Sequence, residues 1–164
     1  MNELLKQDRI RTKKLPLFQI LLRKSQRGGV LSQFYRLLYK LSATKSHVEI
    51  STKCKIGGGL YIGHAYCITI NPNAQIGRNC NIHKGVTIGQ ENRGAREGCP
   101  TIGDEVWIGI NSTIVGKVKI GNDVLIASNT YINCDIPDHS VVFGNPCIIK
   151  HKDNATEGYI NNKA

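Results

Sequence analysis

Residues 102–132 read IGDEVW IGINST IVGKVK IGNDVL IASNTY I, with an isoleucine at every sixth position. Glycine follows the isoleucine at positions 103, 109 and 121. A helix repeats about every 3.6 residues and a strand about every 2, so a strict period of six fits neither alone. Hexapeptide repeats are typical of a parallel β-helix, in which each hexad supplies one short strand and one turn. The pattern therefore predicts an all-β fold, a parallel β-helix whose isoleucines point inward.

The same repeat starts earlier in the chain and is interrupted twice. It runs from Ile50, resumes two positions late at Ile70, and continues to Ile88. Ile102 then follows Ile88 after more than two periods instead of one, which implies an insertion longer than one hexad. Insertions in repeat proteins form surface loops, often on the working face. The first break carries His64 and the second carries two arginines, so we expect function at both. Tolerated loop variation is the alternative.

A second inward-facing set is predicted four positions after the isoleucines. It comprises Cys54, Leu60, Ala74, Cys80 and Val86, then Val106, Ser112, Val118, Val124, Thr130 and Ile136. Two of the six cysteines fall in this set, and no two cysteines form a CxxC pair. We therefore expect buried free thiols rather than disulfides or a zinc site.

The net charge of +10 is concentrated at the start of the chain. Residues 1–45 contain 11 Lys/Arg and 2 Asp/Glu, a net charge of +9. Apolar residues recur at helical spacing over 17–22 and 30–41, which predicts two short helices. Such a segment would cap the open end of the β-helix or contact another subunit. Contact with an anionic membrane surface is the alternative, while no stacking platform or motif favours nucleic acid.

Three segments follow from these patterns: a basic helical N-terminal segment (1–45), a β-helix domain (46–150) and a C-terminal tail (151–164). The tail is polar, so we expect it to be disordered or loosely docked. No apolar run approaches the length of a membrane span, and no secretory leader is apparent. The expected location is the cytoplasm, peripheral to the inner face of the membrane if the basic segment contacts lipid.

A catalytic pair is suggested by the spacing of a histidine and a carboxylate. His64 lies at the first break, and Glu49 precedes it by two and a half hexads. A coil of three hexads is about 18 residues, so residues near this separation stack on neighbouring turns. A carboxylate on one imidazole nitrogen would leave the other nitrogen free to act as a base. The alternative is a surface histidine and an unrelated glutamate.

The second break, residues 90–100, is a polar loop that contains candidate substrate-binding residues: Glu91, Asn92, Arg93 and Arg96. The two arginines suit an anionic or polyhydroxyl ligand, with simple solvation as the alternative. His83 occupies a position where hexads usually have a small residue. Two histidines without a third ligand are weak support for a catalytic zinc site, so no metal is expected.

The chain from about residue 48 to residue 150 resembles the hexapeptide-repeat acyltransferases of the left-handed β-helix class. The resemblance is greatest to the serine acetyltransferases and their polysaccharide-modifying relatives. It is carried by KIGGGLYIGHA (55–65), GVTIG (85–89), VWIG (106–109) and the ending GNPC (144–147). The histidine in its context and the ending favour acetyl transfer over other β-helix functions.

The resemblance implies roles for individual residues. The general base of the family falls on His64, and its acidic partner falls on Glu49. Acetyl-CoA, the co-substrate, would lie in a groove between subunits of a homotrimer. The matching cofactor-binding positions are Gly89, Gly109, Ile110, Ala127 and Ser128, with Lys150 near the nucleotide phosphates.

Departures from the serine acetyltransferase pattern bear on the acceptor. The family's acidic residue before the catalytic histidine is replaced by Gly63, and its loop Arg-His pair by Gly98 and Cys99. A free amino acid needs partners for two charges, whereas a sugar needs neither. We therefore predict an acetyl-CoA-dependent O-acetyltransferase that acts on a sugar hydroxyl of a surface polysaccharide. The alternatives are a serine O-acetyltransferase and a non-catalytic or metal-binding β-helix protein.

Overall fold

The computed structural model describes residues 2–164, which form a short helical segment followed by a β-solenoid. The helices are α1 (Glu3–Arg11), α2 (Leu17–Ser25) and α3 (Val30–Lys45). The strands of the first three coils are β1 (Val48–Ile50), β2 (Lys55–Ile56), β3 (Tyr61–Gly63), β4 (Ile68–Ile70), β5 (Gln75–Ile76), β6 (Asn81–His83), β7 (Thr87–Gly89), β8 (Thr101–Ile102) and β9 (Val106–Ile108). The remaining strands are β10 (Thr113–Val115), β11 (Lys119–Ile120), β12 (Val124–Ile126), β13 (Tyr131–Ile132), β14 (Ser140–Phe143) and β15 (Ile148–His151).

Every third strand pairs in parallel, so the coil has three flat faces. Face A contains β1-β4-β7-β10-β13, face B contains β2-β5-β8-β11, and face C contains β3-β6-β9-β12-β14 with β15 at its edge. Isoleucine pairs with isoleucine between neighbouring strands, as Ile70 does with Ile88 and Ile88 with Ile114. About five turns are formed. The predicted β-helix fold is confirmed.

The interior is filled by the two predicted inward-facing sets, all of whose members are buried. Full burial of an isoleucine contributes about 1.5–3 kcal/mol relative to leaving it exposed. The two buried hydroxyls are satisfied by one carbonyl, because Ser112 Oγ and Thr130 Oγ1 donate to Ala127 O at 2.8 Å and 2.6 Å. Cys54 and Cys80 are buried free thiols, as predicted.

Both breaks in the repeat are accommodated without loss of strand register. Gly63 pairs with His83 of the next coil, and the residues after Gly63 form the corner between β3 and β4. The second break leaves the coil after β7 and returns before β8, and Glu91 and Gly98 pair at its base. Ile76, which precedes the insertion, still pairs in register with Ile102, which follows it. The insertion is therefore a surface loop, as predicted.

The N-terminal segment contains one helix more than predicted. The spacing of apolar residues indicates α2 and α3 but misses α1, which is held by a polar contact instead. Asp8 of α1 is fully buried, and Arg23 Nε donates to its carboxylate at 2.8 Å. The same carboxylate accepts from Leu60 N at 2.9 Å. The helix is stabilised by a tertiary ion pair, which helical periodicity cannot reveal.

The chain after the last coil turns back, as expected, and then docks. β15 runs antiparallel to β14, with Val142 opposite Ile149. Within residues 151–164, Thr156 donates its backbone N–H and its hydroxyl to Asp123 at 2.9 Å and 2.7 Å. Tyr159 packs edge-on against Trp107. Of the two expected alternatives, a disordered tail and a docked one, the structure has the docked one, because a polar tail can be held by hydrogen bonds without an apolar run.

Candidate functional site

His64 lies on the edge of the solenoid where each coil turns from face C to face A. This C–A edge is formed by residues 63–67, 83–86, 109–112 and 127–129 of successive coils. Backbone hydrogen bonds align them: Gly85 N donates to Tyr66 O, Asn111 N to Lys84 O and Asn129 N to Ile110 O, at 3.0, 3.0 and 2.8 Å. The fold thus places His64 in one column with four of the predicted cofactor-binding residues.

Those four residues, Gly109, Ile110, Ala127 and Ser128, belong to two adjacent coils. A Cβ atom on Gly109 would lie 2.6 Å from Ser128 N, so the two turns are in close contact. Gly89 and Lys150 lie elsewhere. Gly89 ends β7 on the opposite edge of face A, and Lys150 is exposed on β15. The C–A edge therefore offers backbone groups and small side chains along one line from His64.

His64 is exposed and has a positive φ of 53°. Its chain neighbour Gly63 is buried and lies beneath the imidazole of His83. Burial, followed by the proximity of His64, lowers the pKa of His83. Within residues 2–164, His83 Nε2 is buried and has no hydrogen-bond partner. A neutral histidine therefore supports the turn that presents the exposed one.

His83 belongs to a row of rings on the outer surface of face C. Its ring centroid lies 6.3 Å from that of Tyr61 and 4.7 Å from that of Trp107. The Trp107 ring lies 5.2 Å from that of Tyr159. All four side chains are at least partly exposed. Sequence reasoning did not assemble this row, because its members come from different coils and from the tail.

Glu49 lies on the outer surface of face A, one coil before the strand that follows His64. It is exposed, and its neighbour in register is Thr69. No hydrogen bond or ion pair in the described part of the chain connects Glu49 with His64. The orienting contact between them remains a prediction.

Glu49 instead lines a cavity of about 790 Å³ between α3 and face A. Arg36, Lys40 and His47 line the same cavity, as does Gly89. Sequence reasoning missed these cationic residues as site residues, because the N-terminal segment was expected to cap the coil or to contact a subunit or a membrane, not to line a cavity with Glu49. The cavity brings one carboxylate and two cations of the chain together beside the first coils.

The loop after β7 is on the opposite edge of face A from His64. Arg96 Nε lies 3.1 Å from Glu91 Oε2, and Asn92 accepts a hydrogen bond from Gln90. Lys117 N donates to Arg96 O at 2.8 Å, which anchors the loop. Arg93 is exposed. The predicted substrate-binding residues therefore do not meet the His64 of their own chain.

Across residues 2–164, no three His, Cys, Asp or Glu side chains cluster in a way that could hold a metal ion. In the part of the chain that the structure describes, no helix is long and apolar enough to cross a membrane.

Comparison with known proteins supports the assignment of the coil. The family profile described as bacterial transferase hexapeptide (six repeats) matches residues 99–134. The serine acetyltransferase of Helicobacter pylori is 31% identical over 118 residues, which are 72% of this chain and 69% of that protein. That of Staphylococcus aureus is 32% identical over 123 residues, which are 75% of this chain and 58% of that protein.

Solved structures are similar over most of the chain. The Neisseria gonorrhoeae serine acetyltransferase in complex with serine is 28% identical, with a TM-score of 0.66, and the match covers 81% of this chain and 53% of that one. Soybean serine acetyltransferase apoenzyme is 26% identical, with a TM-score of 0.72, and the match covers 89% and 65%. The matched part of the chain thus spans between 53% and 69% of the length of these proteins.

Proposed function

Because the chain belongs to the hexapeptide-repeat acyltransferases of serine acetyltransferase type, we propose that it is an acetyl-CoA-dependent O-acetyltransferase. The observation that carries the proposal is the C–A edge. One exposed histidine stands there at the head of a column of small residues and backbone groups, where the thioester of a co-substrate could lie beside it.

His64 is the proposed general base. Its imidazole takes the proton of the acceptor hydroxyl as the hydroxyl oxygen attacks the thioester carbonyl of acetyl-CoA. A tetrahedral intermediate forms, and its oxyanion is stabilised by backbone N–H groups of a nearby turn. The intermediate then expels the CoA thiolate, which receives the proton from the imidazolium. Glu49 is the proposed residue that orients His64 and stabilises its cationic form.

Serine is the proposed acceptor. The relatives are serine acetyltransferases, and the N. gonorrhoeae structure contains serine. A zwitterionic amino acid needs partners for both of its charges in a partly dry site. The loop positions 98 and 99 provide no cation, but Arg36 and Lys40 line the cavity that contains Glu49. These cations offer a carboxylate partner that the sequence alone did not suggest.

A sugar hydroxyl of a polysaccharide precursor is the second candidate. It is favoured by the row of rings beside His64, since aromatic side chains have an apolar face on which a sugar ring can pack. It is also favoured by the ion pair between Arg96 and Glu91. Because Arg96 is already paired, it is less available to bind the carboxylate of an amino acid. A neutral acceptor would need no free cation.

The two acceptors are distinguished by measuring CoA release from acetyl-CoA with each. Serine at sub-millimolar concentration should support turnover, and His64→Ala should lower it at least about a hundredfold. His151→Ala, on the exposed side of the tail, serves as the matched control. Turnover on oligosaccharides with none on serine would replace serine by the second candidate. No CoA release with either acceptor would contradict acetyl transfer itself.

A further inference from the structure

The outward side of α3 carries five large apolar residues in a position where a surface helix normally carries polar ones. They are Val30, Leu31, Phe34, Leu37 and Leu41. Each is between 57% and 93% exposed. We call these residues the apolar stripe. Exposed leucines are common singly, but a contiguous row of this kind indicates a surface that meets a partner.

The stripe is exposed because α3 docks through its other side. Ser32, Tyr39 and Ala43 are buried, because this side of α3 packs against α2 and β1, and the Tyr39 hydroxyl donates to Ile50 O. Positions 30, 34, 37 and 41 recur at the spacing of one helical face, opposite those contacts. The helix is therefore held by one face, while its more apolar face has no partner among residues 2–164.

The stripe is bordered by positive charge. Lys24 and Arg27 line a cavity of about 450 Å³ together with Val30 and Leu31, at the start of the stripe. Lys45 lies in the last turn of α3. Arg36 and Lys40 belong to the separate cavity that contains Glu49 and do not border the stripe.

The acidic residues of the segment do not offset this charge. Asp8 is fully buried and paired with Arg23. Glu3 lies 3.6 Å from Lys6. Residues 1–45 therefore present a net charge of +9 with both carboxylates already paired.

We propose that the apolar stripe docks on an anionic lipid surface, with its residues inserted at the boundary between headgroups and acyl chains. A helix that lies in a membrane interface combines an apolar face with bordering Lys and Arg. The anionic headgroups neutralise Lys24, Arg27 and Lys45 while the stripe leaves water. The same segment of a second copy is a poorer partner, because a stripe-to-stripe contact would bring two segments of charge +9 together.

Vesicle co-sedimentation of the full chain tests the proposal. Phosphatidylcholine vesicles are compared with vesicles in which about one quarter of the lipid is phosphatidylglycerol. The protein should sediment with the anionic vesicles at low salt, not with the neutral ones, and should be released as salt rises to about 0.5 M. Phe34→Ser combined with Leu37→Ser should lower partitioning at least about tenfold.

Matched variants separate specific docking from general stickiness. Ile148→Ser with Ile149→Ser removes two exposed apolar residues from β15 and should leave partitioning unchanged. Lys24→Gln with Arg27→Gln should weaken it, whereas Lys119→Gln with Lys152→Gln should not. Acetyl transfer is measured without vesicles, so its presence or absence is independent of this result.

Three outcomes would overturn the proposal. The first is no sedimentation with anionic vesicles at low salt. The second is undiminished sedimentation of the Phe34/Leu37 variant. The third is a fall in the solution mass of that variant by light scattering while its vesicle binding persists, which would assign the stripe to contact between copies of the chain.

Discussion

The imidazole of His83 lies directly over Gly63. A Cβ atom added to Gly63 would be 2.5 Å from His83 Nδ1 and 2.6 Å from its Cε1. The ring cannot easily move away, because it packs between Tyr61 and Trp107. Gly63 is thus required by the ring above it, and its chain neighbour is the proposed general base His64.

Gly63→Ala should therefore destabilise the fold by about 1–3 kcal/mol, the usual effect of overpacking. Thermal or urea unfolding measures the change. The double variant Gly63→Ala with His83→Ala should recover most of the loss, because the clashing ring is gone. Gly89→Ala is the matched control, since its Cβ would meet Val115 at an ordinary 3.4 Å. Equal losses in the single and double variants would contradict the contact.

Activity should depend on His64 far more than on Glu49. Removing a general base typically lowers turnover by a factor of about 10²–10⁴, so His64→Ala should fall in this range with the fold intact. Glu49→Gln should cost less, because it removes an orienting charge rather than the base. CoA release under saturating acetyl-CoA is the measurement. Near wild-type turnover of His64→Ala would mean that another group is the base.

The buried Asp8–Arg23 pair should be the main attachment of α1. Both side chains are fully buried, and Arg23 Nη1 also donates to Ile56 O at 2.8 Å. Asp8→Asn leaves the guanidinium without its counter-charge, which should cost about 3–5 kcal/mol in the free energy of unfolding. The exposed pair of Glu3 and Lys6 gives the control, because Glu3→Gln should cost less than about 1 kcal/mol.

Docking of the tail should depend on pH through Asp123 and His139, whose Nδ1 lies 2.8 Å from the carboxylate. Burial acts to raise the pKa of Asp123, but hydrogen bonds from Thr156, His139 and Ala155 outweigh it, and the net pKa is lowered. The hydrogen bond with Asp123 raises the pKa of His139.

The signs of these shifts define the pH window. The Asp123 contribution is complete above the unfolded value of 3.8 and is lost as pH falls through its lower folded pKa. The His139 contribution is complete below the unfolded value of 6.5 and is lost as pH rises through its higher folded pKa. The hydrogen-exchange protection factor of the Thr156 amide, which corrects for the intrinsic pH dependence of exchange, should be highest between these limits. A flat profile, or one unaltered by Asp123→Asn, would contradict this account.

A homotrimer is the expected assembly, because the loop with Arg93 and Arg96 lies on the opposite edge of face A from His64. A neighbouring copy could bring such a loop to the C–A edge, as the resemblance to enzymes with ligands between subunits implies. Light scattering at micromolar concentration should give three times the mass of the 18.1 kDa chain. A stable monomer with full activity would contradict a shared site.

The sequence by itself determined the coil. Each hexad buries its own isoleucine and the residue four positions later, so the period alone identifies the interior from Ile50 to Ile136. The two breaks were visible for the same reason, because extra residues between two isoleucines shift the next isoleucine away from its sixth position. His64 and the second loop were found as departures from a local rule that requires no knowledge of distant contacts.

Only the tertiary structure decided which side chains meet. His83 covers Gly63 because the first break makes that coil longer than three hexads. An uninterrupted period of six would pair Gly63 with a different residue. α1 and the tail are held by Asp8 and Asp123, whose partners lie 15 and 33 residues away. Such contacts depend on the directions of single polar side chains. Their energy comes from hydrogen bonds in buried surroundings, and these leave no periodic trace in the sequence.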